Sequence, residues 1–198
     1  MKKRIVLIGN FPPRKCGIAT FTHDLYKGLI QNQIETEVIA MNDGYEKYAY
    51  SGAVTLEIQQ NDVASYINAA HYINTHDFET AILQHEFGIL GGKDGKHILQ
   101  LLKRLRMPII TTLHTILDNT SDDQRKVIIE MAEYFQKFVS LSKMGIQLLH
   151  DVYGIPFSKM VHIHHGIHEI NLKNGSLKKK LGVENKQVLL NFGLLSKK

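Results

Sequence analysis

Histidine, carboxylate and glycine residues directly follow several short apolar segments of this 198-residue sequence. The pair His85 and Glu86 follows one such segment, His114 follows another, and Gly166 follows a third. If these segments are parallel strands, their carboxyl ends meet at one edge of a sheet, which is where open parallel sheets bind ligands. We therefore expect these residues to line a binding site, where imidazole and carboxylate groups suit hydrogen bonding to sugar hydroxyls.

The loop after the first apolar segment indicates a phosphate contact. It is longer than a G-x-G-x-x-G loop, carries two prolines, and places Gly17 at the start of the next predicted helix. A glycine there leaves the backbone N–H groups of the helix N-terminus open to an anion. Arg14 and Lys15 add positive charge nearby. The alternative is an ordinary strand-to-helix turn.

The candidate histidines also have structural alternatives. His85 and Glu86 do not begin an H-E-x-x-H zinc motif, because residue 89 is Ile. The pair either binds sugar hydroxyls or caps the end of a strand. His114 either contacts a sugar or phosphate group, which we favour, or is a hydrogen-bonded core residue.

No metal site is expected from the sequence. The stretch 162–168 holds four histidines, but no cysteine lies near it and no carboxylate spacing completes a tetrahedral set. The sequence also lacks the G-x-S-x-G nucleophile elbow and the P-loop motif. Cys16 is the single cysteine, and since no base can be assigned to it, we interpret it as a loop thiol.

Short β-rich segments alternate with longer amphipathic ones, which predicts an α/β fold. The strand bodies are apolar throughout, as in parallel strands covered by helices on both faces. Right-handed crossovers then give a Rossmann-like, doubly wound parallel sheet. The predicted strands are 4–9, 36–40, 53–58, 80–85, 108–114, 138–142, 160–164 and 187–192. The predicted helices are 18–32, 62–75, 95–106, 121–135, 143–153 and 177–181.

Composition and charge exclude several classes of function. Hydrophobic residues make up 43% and charged residues 22% of the chain, as in ordinary globular domains. A single cysteine permits no intrachain disulfide, which favours a cytoplasmic location.

The first 172 residues hold 17 basic and 18 acidic residues, so the net charge of +5 comes from the lysine-rich segment 173–198. We expect no nucleic-acid partner, because no aromatic-basic interleaving is present. Membrane association through residues 178–180 lacks the support of an amphipathic aromatic-basic helix.

A polar segment near residues 171–176 marks the one shift in composition and is typical of a linker. We predict a Rossmann-like domain over 1–170, a linker over 171–186, and over 187–198 the first strand of a second, truncated domain. The apolar strand 187–192 would be left unpaired at a sheet edge. We therefore expect the sequence of the complete protein to continue beyond it.

Together these segments resemble the N-terminal domain of GT-B fold glycosyltransferases, specifically the retaining family 4 group. The resemblance covers nearly the whole chain and lies in residues 4–9, 12–21, 84–88, 108–114, 161–167 and 189–198. It implies metal-independent transfer of a hexose from a nucleotide diphosphate sugar to a hydroxyl of a carbohydrate or lipid-linked acceptor, without a cofactor. It also implies that His114 lies near the donor sugar, that His85 and Glu86 line the acceptor side, and that Gly17 faces the donor diphosphate.

The chain departs from the family pattern in its last segment. Leu194 stands where the family often has an arginine that contacts the donor phosphate. The family's glutamate pair and most of its nucleotide contacts belong to a C-terminal domain that this chain lacks, so we expect negligible transfer by the chain alone. Two alternatives stay open: a non-catalytic sugar- or nucleotide-binding module, and another GT-B enzyme such as a sugar-nucleotide epimerase.

Overall fold

The structure is a computed structural model that describes residues 3–167 and 176–190. Its internal contacts define two compact units, Met1–His165 and Gly166–Lys198. In the first unit, seven parallel strands form a sheet of order β3-β2-β1-β4-β5-β6-β7. The strands are β1 Arg4–Gly9, β2 Glu35–Asn42, β3 Val54–Gln59, β4 Thr80–His85, β5 Ile109–Leu113, β6 Phe135–Ser140 and β7 Met160–His162. The α-helices are α1 Gly17–Gln31, α2 Val63–Thr75, α3 Leu99–Leu102, α4 Asp122–Tyr134, α5 Lys143–Asp151 and, in the second unit, α6 Ser176–Lys180.

Helices cover both faces of the sheet. On one face, Leu25 of α1 packs against a cluster that contains Leu7 of β1. On the other face, Ile73 of α2 and Leu149 of α5 share the larger core with Val6. The strand order reverses between β1 and β4, as it does in doubly wound Rossmann-like domains. The predicted fold class is therefore confirmed.

Side-chain caps fix the starts of several helices at the carboxyl edge of the sheet or close to it. Asp62 caps α2, and Ser121 with Gln124 forms a capping box at α4. At α5, the Ser142 hydroxyl accepts a hydrogen bond of 2.9 Å from the Gly145 N–H. These side chains satisfy backbone donors that the first helical turn leaves unpaired. Each of these helices therefore begins at a defined residue.

Two stretches of the first unit differ most from the prediction. The helix predicted over 95–106 is α-helical only at Leu99–Leu102, because the preceding 3-10 segment Lys93–Ile98 contains Asp94 at a φ of 55° and Gly95 at a φ of 79°. Phe135, predicted to end α4, instead begins β6. Phe135 is 1% exposed, and its ring packs edge-on against Phe138 of the same strand. This burial in the core stabilises the strand conformation of the residue.

The second unit contains α6 in its described part, close to the helix predicted at 177–181. Residues 187–190 of the predicted strand 187–192 have no regular secondary structure. Residues 191–198, and residues 171–175 of the predicted linker, lie outside the described residues. The predicted domain boundaries therefore stay predictions. No helix in the described part of the chain is long and apolar enough to cross a bilayer.

Candidate functional site

The strand-order reversal brings most of the predicted site residues to one edge of the sheet. The chain leaves the neighbouring strands β1 and β4 toward opposite sides, which opens a crevice at their carboxyl ends. The loop that leads to Gly17 follows β1, His85 ends β4, and His114 follows β5. The predicted convergence of these three segments is therefore present in the fold.

His114 lies on the α1 face of the sheet and is held by two side chains. Its Nε2 atom is 2.9 Å from Oε1 of Gln84, and the Phe21 ring packs edge-on against the imidazole at 4.8 Å between centroids. Burial, together with the nearby His165, lowers the pKa of His114 to about 4. The imidazole is therefore neutral near pH 7. A neutral imidazole donates one hydrogen bond and accepts another.

His114 also lines a cleft of about 550 Å³. The wall opposite it is the N-terminal turn of α5 with the end of β6, and the lining includes Thr115, Ser140, Ser142, Gly145 and His165. Gly145 approaches so closely that a Cβ there would lie 2.3 Å from the Ser140 hydroxyl oxygen. The cleft thus carries hydroxyl and imidazole groups on a rigid frame.

Gln84 is fully buried beside His114. Gly9 of the neighbouring strand makes room for it, since a Cβ on Gly9 would lie 2.9 Å from the Gln84 Cβ. The Gln84 Nε2 atom has no hydrogen-bond partner among the described residues. From the sequence we predicted no role for Gln84. Periodicity places Thr112 and His114 on one face, but only the register of β4 against β5, which pairs Gln84 with Thr112, shows that Gln84 shares that face.

His85 points to the opposite face of β4 and is fully buried. Both of its ring nitrogens lack a hydrogen-bond partner in the described structure, and its ring packs edge-on against Phe87 at 5.0 Å. Burial, with a smaller effect of His114, lowers the pKa of His85 to about 3. A buried imidazole whose nitrogens make no hydrogen bond lowers the stability of the folded state. Both nitrogens of His85 are therefore able to bond to a further group.

The carboxylate of Glu86 is hydrogen-bonded to neighbouring residues of the chain. One carboxylate oxygen accepts a hydrogen bond of 3.1 Å from the Phe87 N–H, and the other accepts one from the Thr115 hydroxyl. This is the cap at a strand end that the sequence left open as an alternative. The predicted contact of Glu86 with a substrate stays a prediction.

Hydrogen bonds between residues of the loop after β1 and the start of α1 stabilise this loop. Cys16 caps α1, and its sulfur accepts hydrogen bonds from the Ala19 N–H at 3.3 Å and from the buried Asn10 amide at 3.2 Å. The next residue, Gly17, begins α1, and a Cβ on it would meet no atom within 4 Å. Gly17 thus places no side chain over the N-terminus of α1, whereas the Ala19 N–H is already bonded to Cys16. The predicted phosphate contact stays a prediction.

Arg14 ties this loop to the loop after β2. Its guanidinium donates to Asn10 Oδ1 at 3.1 Å and to the Met41 carbonyl at 3.0 Å, and it pairs with Asp43 at 3.3 Å. Burial raises the pKa of Asp43, but the Tyr45 N–H and the charge of Arg14 outweigh burial and lower it overall. Arg14 thus holds two loops together. Its predicted contact with a ligand stays a prediction, as does that of Gly166, which belongs to the second compact unit.

No group of three or more potential metal ligands comes together within residues 3–167 and 176–190. The rings of His162 and His164 contact each other at 4.4 Å between centroids. β7 ends at His162, so the strand predicted over 160–164 stops before His164 and the two histidines do not share one strand face.

Several solved structures share the fold. A glycosyltransferase from Rickettsia africae ESF-5 matches with a TM-score of 0.64 and 16% identity, over 92% of this chain and 50% of that one. Anabaena HepE in complex with UDP matches with a TM-score of 0.54 and 16% identity, over 93% and 51%. The UDP-N-acetylglucosamine 2-epimerase from Rickettsia bellii matches with a TM-score of 0.52 and 12% identity, over 82% and 44%. The chain thus has the fold of one GT-B half and spans about half the length of these proteins.

The sequence identifies the family within this fold. The family model for Glycosyltransferase Family 4 matches residues 16–169, which is most of the chain. The chain therefore belongs to glycosyltransferase family 4, and the resemblance seen in its motifs is confirmed. No curated protein sequence matches the chain.

Proposed function

We propose that the complete protein transfers a sugar from a nucleotide diphosphate sugar to an acceptor hydroxyl, and that this chain forms one wall of the cleft. The observation that carries the proposal is unused hydrogen-bonding capacity at the carboxyl edge of the sheet. Gln84 Nε2 and both ring nitrogens of His85 are buried without partners among the described residues. Sugar hydroxyls donate and accept hydrogen bonds, so they match such a mixed set of groups.

The diphosphate is assigned to the N-terminus of α1. The 15 residues of this helix give its N-terminus a partial positive charge, and Gly17 leaves the backbone there uncovered. Stabilising the leaving diphosphate as its charge develops is the main physical demand of the reaction. Backbone N–H groups and cationic side chains meet that demand without a metal ion or a cofactor.

We assign roles to the other predicted site residues from their places in the fold. His114 is the catalytic candidate, and its Nδ1 atom accepts a hydrogen bond from a hydroxyl of the donor sugar. His85, Glu86 and Gly166 are assigned to substrate binding, the first two on the acceptor side. Arg14 acts through the loop that it holds. The missing donor contacts come from a C-terminal domain of the same protein.

We infer a hexose as the transferred sugar and a carbohydrate or lipid-linked molecule as the acceptor, in the cytoplasm. A uridine nucleotide is the first donor to test, because HepE, a protein of the same fold, is described in complex with UDP. No nucleic acid is proposed as a partner.

The epimerase alternative has the fold in its favour, since one of the matching structures is a UDP-N-acetylglucosamine 2-epimerase. The family match over residues 16–169 favours the transferase. The two activities differ in their need for an acceptor, because an epimerase converts its nucleotide sugar alone. A binding module would turn over neither.

The test is release of nucleoside diphosphate by the full-length protein from a panel of UDP-sugars, with EDTA, with and without candidate acceptors. We expect release that depends on an acceptor, and His114→Ala should lower kcat/KM roughly 100-fold, as loss of one preorganised polar contact does. The matched control is His71→Ala on the exposed side of α2, which should leave the rate unchanged. Conversion of the donor into a second nucleotide sugar, without acceptor and without net release of nucleoside diphosphate, supports the epimerase, and tight binding without turnover supports the binding module.

A further inference from the structure

The contact between Gln84 and His114 determines which nitrogen of the imidazole carries the proton. Gln84 presents its carbonyl oxygen Oε1 to His114 Nε2 at 2.9 Å. An amide oxygen only accepts hydrogen bonds, so the imidazole nitrogen that faces it must carry the hydrogen. In a neutral ring, the other nitrogen, Nδ1, is then left as an acceptor.

The position of Gln84 is set by its neighbours. The side chain is fully buried, and Gly9 on the adjacent strand is in close contact with its Cβ and Cγ, at 2.9 and 3.2 Å from an ideal Cβ on the glycine. On the other side, Phe21 of α1 packs against the imidazole of His114 at 4.8 Å. The burial of Gln84 and the ring contact of Phe21 with His114 both favour the arrangement in which the two side chains meet.

We propose that Gln84 is a positioning residue that holds His114 in the tautomer with hydrogen on Nε2, so that Nδ1 accepts a hydrogen bond from a donor-sugar hydroxyl. The role in turnover rests on the proposed function. The pairing of Gln84 with His114 does not, because it concerns only these two side chains. The pairing of the two side chains and its role in turnover are therefore tested by different measurements.

The pairing is tested first by nitrogen-15 NMR of the histidine rings at pH 7, with the His114 signals assigned by their loss in His114→Gln. We expect the wild-type ring to be neutral and protonated on Nε2. In Gln84→Met, which keeps the length of the side chain but removes the acceptor, the ring should become a mixture of tautomers. A wild-type ring protonated on Nδ1, or an unchanged tautomer in Gln84→Met, would overturn the proposal whether or not the protein is an enzyme.

The role in turnover is tested by kinetics of the full-length protein. Gln84→Met should lower kcat about 10-fold with little change in KM, as the loss of roughly one hydrogen bond's free energy in the transition state does. Gln84→Glu keeps an acceptor and adds negative charge, which favours the protonated imidazole. It should therefore move the acidic limb of the pH profile of kcat to higher pH.

The matched control is Gln60→Met, which removes a half-buried amide whose Oε1 atom also lacks a partner among the described residues. It should leave the tautomer, kcat and the pH profile of kcat unchanged. Equal losses in the Gln60 and Gln84 variants would assign Gln84 a purely structural role and overturn the proposal. Absence of turnover in the wild type, with the predicted tautomer observed, would contradict the proposed function instead.

Discussion

At the scale of single residues, the two buried histidines make stability depend on pH. Burial is the main cause that lowers the pKa of His85 to about 3 and of His114 to about 4, from an ordinary value of 6.5. The unfolded chain therefore binds more protons than the folded chain once the pH falls below about 6.5. The stabilising effect of the neutral histidines is complete above that pH and is lost progressively as the pH falls toward 4 and then 3.

We expect the free energy of unfolding to fall by about 1.4 kcal/mol per pH unit for each such histidine in the lower part of this window. Urea unfolding at pH 7.5, 6 and 5 measures it, since the acidic residues titrate mostly below that range. His114→Gln should flatten the pH dependence, whereas the exposed control His71→Gln should not. The same slope in all three proteins would show that His114 is not neutral and buried in the folded state.

The sequence could predict that His85, His114 and Gly17 meet at one edge, because parallel strands deliver their carboxyl ends together. It could not predict how side chains pair. Arg14 is bonded to Asn10 and Asp43, and the partner from the loop after β2 is distant in sequence. Such pairings depend on backbone geometry that residue types alone do not encode.

At the scale of elements, the contact between β1 and β4 is tight enough to control the site. A methyl group on Gly9 would meet Gln84 at 2.9 Å, so Gly9→Ala must displace the amide that holds His114. We expect a loss of about 1–3 kcal/mol in the free energy of unfolding, as for other overpacked cores, together with loss of the Nε2-protonated tautomer.

The matched control is Gly28→Ala inside α1, where a Cβ would meet no atom within 4 Å. This variant should gain about 0.5–1 kcal/mol, because alanine is the better helix former. Chemical denaturation of both variants provides the comparison. Equal stability of the two would show that β1 and β4 have room to separate at this point.

Strands were easier to predict than the segment that follows β4. The boundaries Arg4–Gly9 and Thr80–His85 agree with the apolar pattern, because fully buried strands leave a continuous run of apolar residues. The helix predicted over 95–106 is α-helical only at Leu99–Leu102. The positive φ angles of Asp94 and Gly95, 55° and 79°, interrupt the helical path just before it. Backbone angles of this kind are not encoded in the apolar periodicity of the segment.

At the scale of the whole molecule, the chain spans about half the length of the solved proteins that share its fold. The solved proteins of this fold are about twice as long, and the family match ends at residue 169. The described edge of the sheet offers a helix N-terminus, two buried histidines and an amide, which are groups for a diphosphate and for hydroxyls. In the proposed function, recognition of the nucleotide base falls to residues outside this chain.

In the proposed function, the donor site is divided between this chain and the rest of the protein. The most direct measurement is isothermal calorimetry with a panel of nucleotide diphosphate sugars, on the full-length protein and on the 198-residue chain side by side. We predict that the full-length protein binds one donor and that the chain alone binds it at least about 100-fold more weakly, a difference of about 2.7 kcal/mol. Equal affinity in the two proteins would contradict a divided donor site, because it would place a complete site within this chain.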